Sequence, residues 1–140
     1  MNKKRIVIAL LSLAMGASYS WAQTTSSIVE DFKPTPVNQP GSQFPQVNSE
    51  GRVRTQILAP EAKRVQLDIG AVKYDMVKDA NGLWTGESAP QDVGFHYYQL
   101  NIDGASVPDP GSLFFSGACR WGSGIEIPSN DQDMFAVKDV

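Results

Sequence analysis

The chain has 140 residues with one cysteine and one histidine, and 12 basic against 15 acidic residues give it a formal net charge of −3 at pH 7. This length suits one domain plus tails, and an acidic chain without a basic stripe is a poor nucleic-acid or anionic-membrane binder. The lone Cys119 excludes an intrachain disulfide, which leaves a small semi-buried packing residue or, as the alternative, a reactive thiol.

The N-terminus has the layout of a secretory signal peptide, predicted for residues 1–22. Three cations at positions 3–5 precede an apolar run from Ile6 to about Ala17, and a small-x-small site ends at Ala22. The run is well short of the roughly 20 residues of a membrane span, which disfavours the alternative of a retained anchor. We therefore expect a secreted or periplasmic protein with no membrane attachment after cleavage, and a formal charge of about −6 on the mature chain.

Residues 23–44 are dominated by Pro, Ser, Thr, Gln and Asn and have no sustained period. This composition predicts a flexible or extended lead-in. Phe32 and Phe44, together with Val47 just beyond the segment, are its possible docking points.

Alternating apolar and polar residues then fill residues 45–112. The runs are "RVRTQILAP", "KRVQLDIG", "VKYDMV", "LWTGE" and "GFHYYQLNID", separated by Gly, Pro, Asn and Asp. Such period-two runs at eight- to twelve-residue spacing predict an all-β, immunoglobulin-like antiparallel β-sandwich. The inward faces are predicted to hold Val65, Leu67 and Ile69; Val72, Tyr74 and Met76; and His96, Tyr98, Leu100 and Ile102.

Residues 113–140 are predicted to be a connector. Two short extended stretches, around Leu113–Ser116 and Gly124–Ile127, lie within it, and "WGSGIE" is interpreted as a loop.

No catalytic or metal constellation stands out in the sequence. The only histidine, His96, shares a face with apolar residues and is interpreted as structural, and Gly122-Ser123-Gly124 lacks the spacing of a serine elbow. One His and one Cys do not suggest zinc, and turn aspartates such as Asp103 and Asp109 are expected to cap turns rather than bind calcium. We predict no cofactor, no metal and no catalysis by this chain alone.

Three pieces of sequence carry a resemblance to a known family. They are Ala59-Pro60-x-Ala62-x-x-Val65-x-Leu67, Asp79-x-Asn81-Gly82-x-Trp84, and Tyr98-x-Leu100-x-Ile102-Asp103-Gly104 followed by Pro108-Asp109-Pro110. In this order they resemble the family 48 carbohydrate-binding module, the immunoglobulin-like N-terminal module of glycogen-branching and isoamylase-type enzymes. The resemblance covers about residues 45–112.

The segment "PDPGSLFFSGACRWGSGIEIP" with "FAVKDV" is similar to the join between this module and the catalytic domain in secreted family 1 carbohydrate esterases, the feruloyl and acetyl-xylan esterase type. That resemblance implies an α/β-hydrolase domain with a Ser-His-Asp/Glu triad C-terminal to this chain as its partner. The starch-binding lysine of the family is Gln99 here, and its tryptophans have no counterpart around Ala105–Ser106 or in "DIGAVKYD". The resemblance therefore implies a xylan-type polysaccharide rather than starch.

The outward face of the last run predicts a sugar site. Phe95, Tyr97, Gln99 and Asn101 alternate with the inward residues, and sugars stack on aromatic rings while amides bond their hydroxyls. The hypothesis is a shallow site on Tyr97, Gln99 and Asn101, with Asp68 or Lys73 beside it and Trp84 or Trp121 as a second platform.

Each of these residues has a structural alternative. Aromatic residues are ordinary strand formers, the alternative for Trp84 is packing in the core, and the alternative for Trp121 is packing on the catalytic domain. Two functions therefore stay open: a module that binds carbohydrate, or a docking module that shapes the esterase cleft without binding sugar.

Overall fold

A computed structural model of the chain describes residues 27–117 and 119–129. Those residues form strands and no helix, so none of them belongs to a helix that could cross a membrane. The strands are β1 (Lys33–Pro34), β2 (Gln46–Val47), β3 (Val53–Leu58), β4 (Val65–Ile69), β5 (Val72–Asp75), β6 (Val77–Lys78), β7 (Leu83–Glu87), β8 (Gly94–Ile102), β9 (Ala105–Val107), β10 (Phe114–Gly117) and β11 (Arg120–Ile127). The predicted signal peptide and the chain from residue 130 onward lie outside the described residues.

The strands pair into two antiparallel sheets, which confirms the predicted β-sandwich. One sheet has the order β1-β2-β3-β7-β6, and the other has the order β10-β11-β8-β4-β5 with β9 paired to β8. We call them the five-stranded and the six-stranded sheet. The inward residues of both sheets make one core: Val47, Val53, Val65, Leu67, Ile69, Met76, Trp84, Tyr98, Leu100, Ile125 and Ile127.

The alternation in β4 and β8 is confirmed. The side chains of Val65, Leu67 and Ile69 are at most 1% exposed, and Tyr98 and Leu100 are buried opposite them. The period-two pattern predicted these faces because a pleated strand points successive side chains to opposite sides.

The run "VKYDMV" differs from the prediction of one strand with one inward face. It forms β5 in the six-stranded sheet and β6 in the five-stranded sheet, with Met76 between them. Met76 is buried and its N–H bonds the Val65 carbonyl, whereas Val72 is 47% exposed. The chain crosses between sheets at Met76, so the alternation on either side of it refers to different layers.

Both segments outside the predicted module contribute to the sandwich. Strand β1 falls within the predicted lead-in and pairs with β2, and the Arg54 guanidinium lies 3.7 Å from the Phe32 ring centroid. Strands β10 and β11 fall within the predicted connector, where they form a hairpin that places Ile125 and Ile127 in the core. The described part of the lead-in thus pairs with the sandwich through β1, and strands β10 and β11 belong to the six-stranded sheet.

Turn chemistry sets the strand junctions. The Asp79 carboxylate accepts the N–H groups of Asn81 (2.7 Å) and Leu83 (3.0 Å), which starts the turn into β7. Gly82 has a φ of +82°, and a Cβ there would lie 2.6 Å from Pro60, so a side chain is excluded on both grounds. The Asp103 carboxylate accepts the N–H groups of Lys63 and Arg64, so it joins the β8–β9 turn to the loop before β4.

Candidate functional site

The outward face of β8 presents an aromatic and amide row. Phe95 and Tyr97 are 45% and 51% exposed on this face, and Gln99 is buried beside them, at 7%. Asn101 is half-buried one pleat further along the strand. The structure therefore places the predicted Tyr97, Gln99 and Asn101 in one row, with the Tyr97 ring as the most accessible member.

Glycines of β10 and β11 lie beneath the aromatic rings. Gly124 pairs directly with Tyr97 across the β8–β11 ladder. A Cβ on Gly117 would lie 2.4 Å from Cζ of Tyr97, and one on Gly124 would lie 2.4 Å from Cζ of Phe95. The rings thus lie against bare backbone, and these strands need glycine for the rings to reach it.

We call Phe95, Tyr97 and Phe115 the aromatic cluster. The Phe95 ring meets the Tyr97 ring at a centroid distance of 5.1 Å and the Phe115 ring at 5.0 Å, both nearly edge to face. This packing orders the Tyr97 ring, and an ordered ring would lose little conformational entropy on contact with a ligand.

We call Gly117, Gly122 and Gly124, which lie beneath the side chains of β8, the glycine floor. The sequence interpretation missed it. "WGSGIE" was predicted to be a loop, but Trp121–Glu126 lies within β11. The overlooked signal is the period-two alternation of this run: Gly122, Gly124 and Glu126 lie on the outer face of the sheet, and Ser123 and Ile125 lie on the core face.

The amide of Gln99 is held in a fixed orientation. Its Nε2 donates to the Trp121 carbonyl (3.3 Å), and its Oε1 accepts a hydrogen bond from the Ser106 hydroxyl (2.6 Å). A side chain bonded at both ends of its amide is a positioned polar group rather than a mobile one.

A cavity of about 300 Å³ lies between Tyr97 and the β4–β5 turn. Its walls combine an aromatic ring, an amide, a carboxylate, a guanidinium and bare backbone. The lining residues are Asp68, Ile69, Gly70, Ala71, Tyr97, Tyr98, Gln99, Gly117, Arg120 and Gly122. Its volume is at the lower end for small-molecule pockets, about 300–1,000 Å³, and its few placed polar groups suit a small polar ring with one flat apolar face.

The side chains of Trp84 and Trp121 lie away from this cavity. Trp84 is 6% exposed in the core, and its indole N–H donates to the Ala59 carbonyl (2.9 Å). Its ring is covered, so the structure places Trp84 in the core and not on the outer face of β8. Trp121 is 66% exposed, but it precedes the outward Gly122, so strand alternation directs its ring to the other face of the sheet from Tyr97.

The remaining chemically active residues have structural surroundings. A ring nitrogen of His96, Nε2, lies 2.6 Å from the Asp92 backbone carbonyl rather than from a serine or a carboxylate. Cys119 is exposed with a φ of +63°, so the predicted semi-buried packing role is wrong. Across the described residues, no group of three or more His, Cys, Asp or Glu side chains is arranged to hold a metal ion.

Comparison with known proteins finds a relative that matches most of the chain. The chain is 51% identical over 116 residues to the Endo-1,4-beta-xylanase/feruloyl esterase of Xylanibacter ruminicola. This chain is similar to part of a xylanase/feruloyl esterase. The aligned region covers 79% of the chain but spans only 16% of that protein's length. No family model matches, so the resemblance to the family 48 module stays a prediction.

Proposed function

We propose that this chain is a non-catalytic carbohydrate-binding module of a secreted xylan-acting esterase. The observation that carries the proposal is the exposed Tyr97 ring, held over the glycine floor beside a cavity that also contains Gln99 and Asp68. The similarity to a small part of a xylanase/feruloyl esterase supports the enzyme class.

A sugar ring would stack its apolar face on Tyr97. The hydroxyl groups at its edge would then meet the Gln99 amide and the Asp68 carboxylate in the cavity wall. Such a site is shallow, so its contribution is to raise the concentration of an attached catalytic domain at the polysaccharide surface, an effective-concentration effect.

The partners follow from the same proposal. The polysaccharide is of the xylan type rather than starch, and the catalytic partner is an esterase domain carried on the same polypeptide. Both would act outside the cytoplasm, in a secreted or periplasmic protein.

Retention of the full chain on insoluble xylan, with insoluble starch as the comparison, tests the proposal. We expect retention on xylan, loss of retention in Tyr97→Ala, and unchanged retention in the matched aromatic control Trp121→Ala. The control removes an exposed ring from the other face of the same six-stranded sheet. Equal retention of Tyr97→Ala and the unsubstituted chain would rule out this face as the binding site.

A second function is supported by a different surface. Leu113, Phe114 and Trp121 are 38%, 49% and 66% exposed. Phe114 and Trp121 share the core-side face of the β10–β11 hairpin, where the five-stranded sheet does not cover them. This apolar edge suits a docking module that packs on a catalytic domain without binding sugar. Folded protein that is retained on neither polysaccharide would favour docking over carbohydrate binding.

A further inference from the structure

Arg120 brings a positive charge to the cavity. It is the first residue of β11, pairs with Gly117 across the hairpin and lines the same cavity as Tyr97, Gln99 and Asp68. The side chain is exposed. It therefore holds a full guanidinium charge at the cavity wall without a desolvation cost.

Among the described residues that line the cavity, the other charged residue, Asp68, is ion-paired. Oδ2 of Asp68 lies 3.3 Å from Nζ of Lys73, its cross-strand neighbour. Among the described residues, no carboxylate lies within ion-pairing distance of Arg120. Glu126, on the same face of β11, is six residues away, which is about 20 Å along a strand. The cavity is thus locally cationic on a chain whose net charge is −3.

We propose that the cavity selects a sugar that carries a carboxylate, namely a uronic acid substituent of the polysaccharide. Its ring would stack on Tyr97, and its carboxylate would accept two parallel N–H bonds from the Arg120 guanidinium, the geometry in which arginine binds carboxylates most strongly. This inference rests on the proposed function, because it names the ligand of that same site.

Titration of the full chain with three soluble polysaccharides tests the proposal. Glucuronoxylan carries the uronic acid on a xylan chain, neutral arabinoxylan has the same backbone without the carboxylate, and polygalacturonate carries the carboxylate on another backbone. We compare the unsubstituted chain with Arg120→Gln, Arg120→Lys and the control Lys63→Gln, which removes an exposed charge outside the cavity.

We expect Arg120→Gln to weaken glucuronoxylan binding about tenfold, because an exposed charge-assisted pair is lost, and to weaken arabinoxylan binding much less. Arg120→Lys keeps the charge but not the paired N–H donors of the guanidinium, so its glucuronoxylan affinity should fall less. The glucuronoxylan affinity of Lys63→Gln should not change. The difference between the two xylans should shrink as salt rises from about 0.01 M to about 0.15 M, because the Debye length falls from about 30 Å to about 8 Å. Polygalacturonate binding equal to glucuronoxylan binding would mean that the carboxylate is recognised on either backbone.

Different outcomes contradict the preference for an acidic sugar and the proposed carbohydrate binding. If the unsubstituted chain and Arg120→Gln bind both xylans alike, the preference for an acidic sugar is wrong while carbohydrate binding stands. If the folded chain binds none of the three polysaccharides, the proposed function fails and the preference fails with it. An equal loss on both xylans in Arg120→Gln, with a lowered Tm, would assign Arg120 a structural role instead.

Discussion

At the scale of single residues, Asp109 joins the two sheets. The carboxylate is 1% exposed and accepts hydrogen bonds from the Thr55 hydroxyl of β3 (2.9 Å) and the Tyr98 hydroxyl of β8 (2.7 Å). The carboxylate also accepts the N–H of Gly111. The backbone N–H of Asp109 donates to the Ser123 hydroxyl of β11. A buried carboxylate is tolerated only with such partners, so these bonds help to fix how the two sheets sit on each other beneath the outer face of β8.

Tyr98→Phe tests this connection. Removing the hydroxyl takes one of three donors from a buried carboxylate, and we expect a loss of about 1–3 kcal/mol in the free energy of unfolding at pH 7. The check is urea denaturation, with Tyr74→Phe on the half-buried side of β5 as the control.

The Tyr98→Phe variant also tests how the free energy of unfolding depends on alkaline pH. Burial, and then the Asp109 charge, raise the pKa of Tyr98 well above its ordinary value. A raised folded pKa stabilises the fold below the unfolded value of about 10, and this stabilisation is lost as pH rises above it. The stability gap between the unsubstituted chain and Tyr98→Phe should therefore narrow above about pH 10. A difference in unfolding free energy between the two chains that stays constant up to pH 11 would contradict a raised pKa of Tyr98.

Gly122→Ala tests the glycine floor at the same scale. A Cβ at this position would lie 3.2 Å from Nε2 of Gln99, inside the cavity. We expect xylan binding to fall by about tenfold, the usual effect of one misplaced methyl group in a binding pocket, with little change in Tm. Affinity electrophoresis on xylan measures the binding. If Gly122→Ala and the unsubstituted chain have the same mobility, the ligand does not bind in this cavity.

At the scale of elements, exposed carboxylates attach the N-terminal segment. The Asp31 carboxylate accepts the N–H of Ser49 (3.0 Å), and Glu50 accepts the N–H of Val29 (3.4 Å). Glu30 forms a bidentate pair with Arg54, with bonds of 2.9 and 3.0 Å. The attachment of residues 29–31 thus combines these ionised groups with one neutral bond, from the Asn48 amide to the Val29 carbonyl (2.9 Å).

We expect acid to release this segment before the core unfolds. The backbone N–H of Ser49 lowers the pKa of Asp31, and the backbone N–H of Val29 lowers the pKa of Glu50. A lowered folded pKa stabilises the attachment above the ordinary value of about 4, and this is lost as pH falls below it. Amide exchange at Val29 and Ser49 should accelerate between about pH 4 and pH 2.5 relative to the intrinsic rate, while Leu100 in β8 stays protected. Simultaneous exchange at all three would contradict local release.

At the scale of the whole molecule, the β10–β11 hairpin completes the sandwich. Strand β11 covers one edge of β8, and it contributes two core residues, Ile125 and Ile127, that are at most 3% exposed. Full burial of such a side chain is worth about 1.5–3 kcal/mol, and an uncovered strand edge promotes aggregation.

A chain that ends at residue 112, the predicted module boundary, should therefore fail to fold. We expect a collapsed near-UV circular dichroism signal and association in size-exclusion chromatography, with the full chain as the control. A monomeric, cooperatively unfolding 1–112 chain would contradict the assignment of the hairpin to the core.

The local pattern predicted much of the fold. Alternation identified β3, β4 and β8 and the buried faces of Val65, Leu67, Tyr98 and Leu100, and it placed Tyr97, Gln99 and Asn101 together on the outer face. The turn aspartates, such as Asp79, were predictable for the same reason. Both signals depend on residues within a few positions of one another, so they can be recognised before the chain folds.

The tertiary structure decided everything that depends on which strands become neighbours. Gly117 lies under the Tyr97 ring, and Asp68 and Arg120 share a cavity, although these residues are 20 or more positions apart in the sequence. Trp84 is buried and Trp121 is exposed because one is covered by the opposite sheet and the other is not. A strand's period tells which side chains share a face, but only non-local pairing and register determine what covers that face.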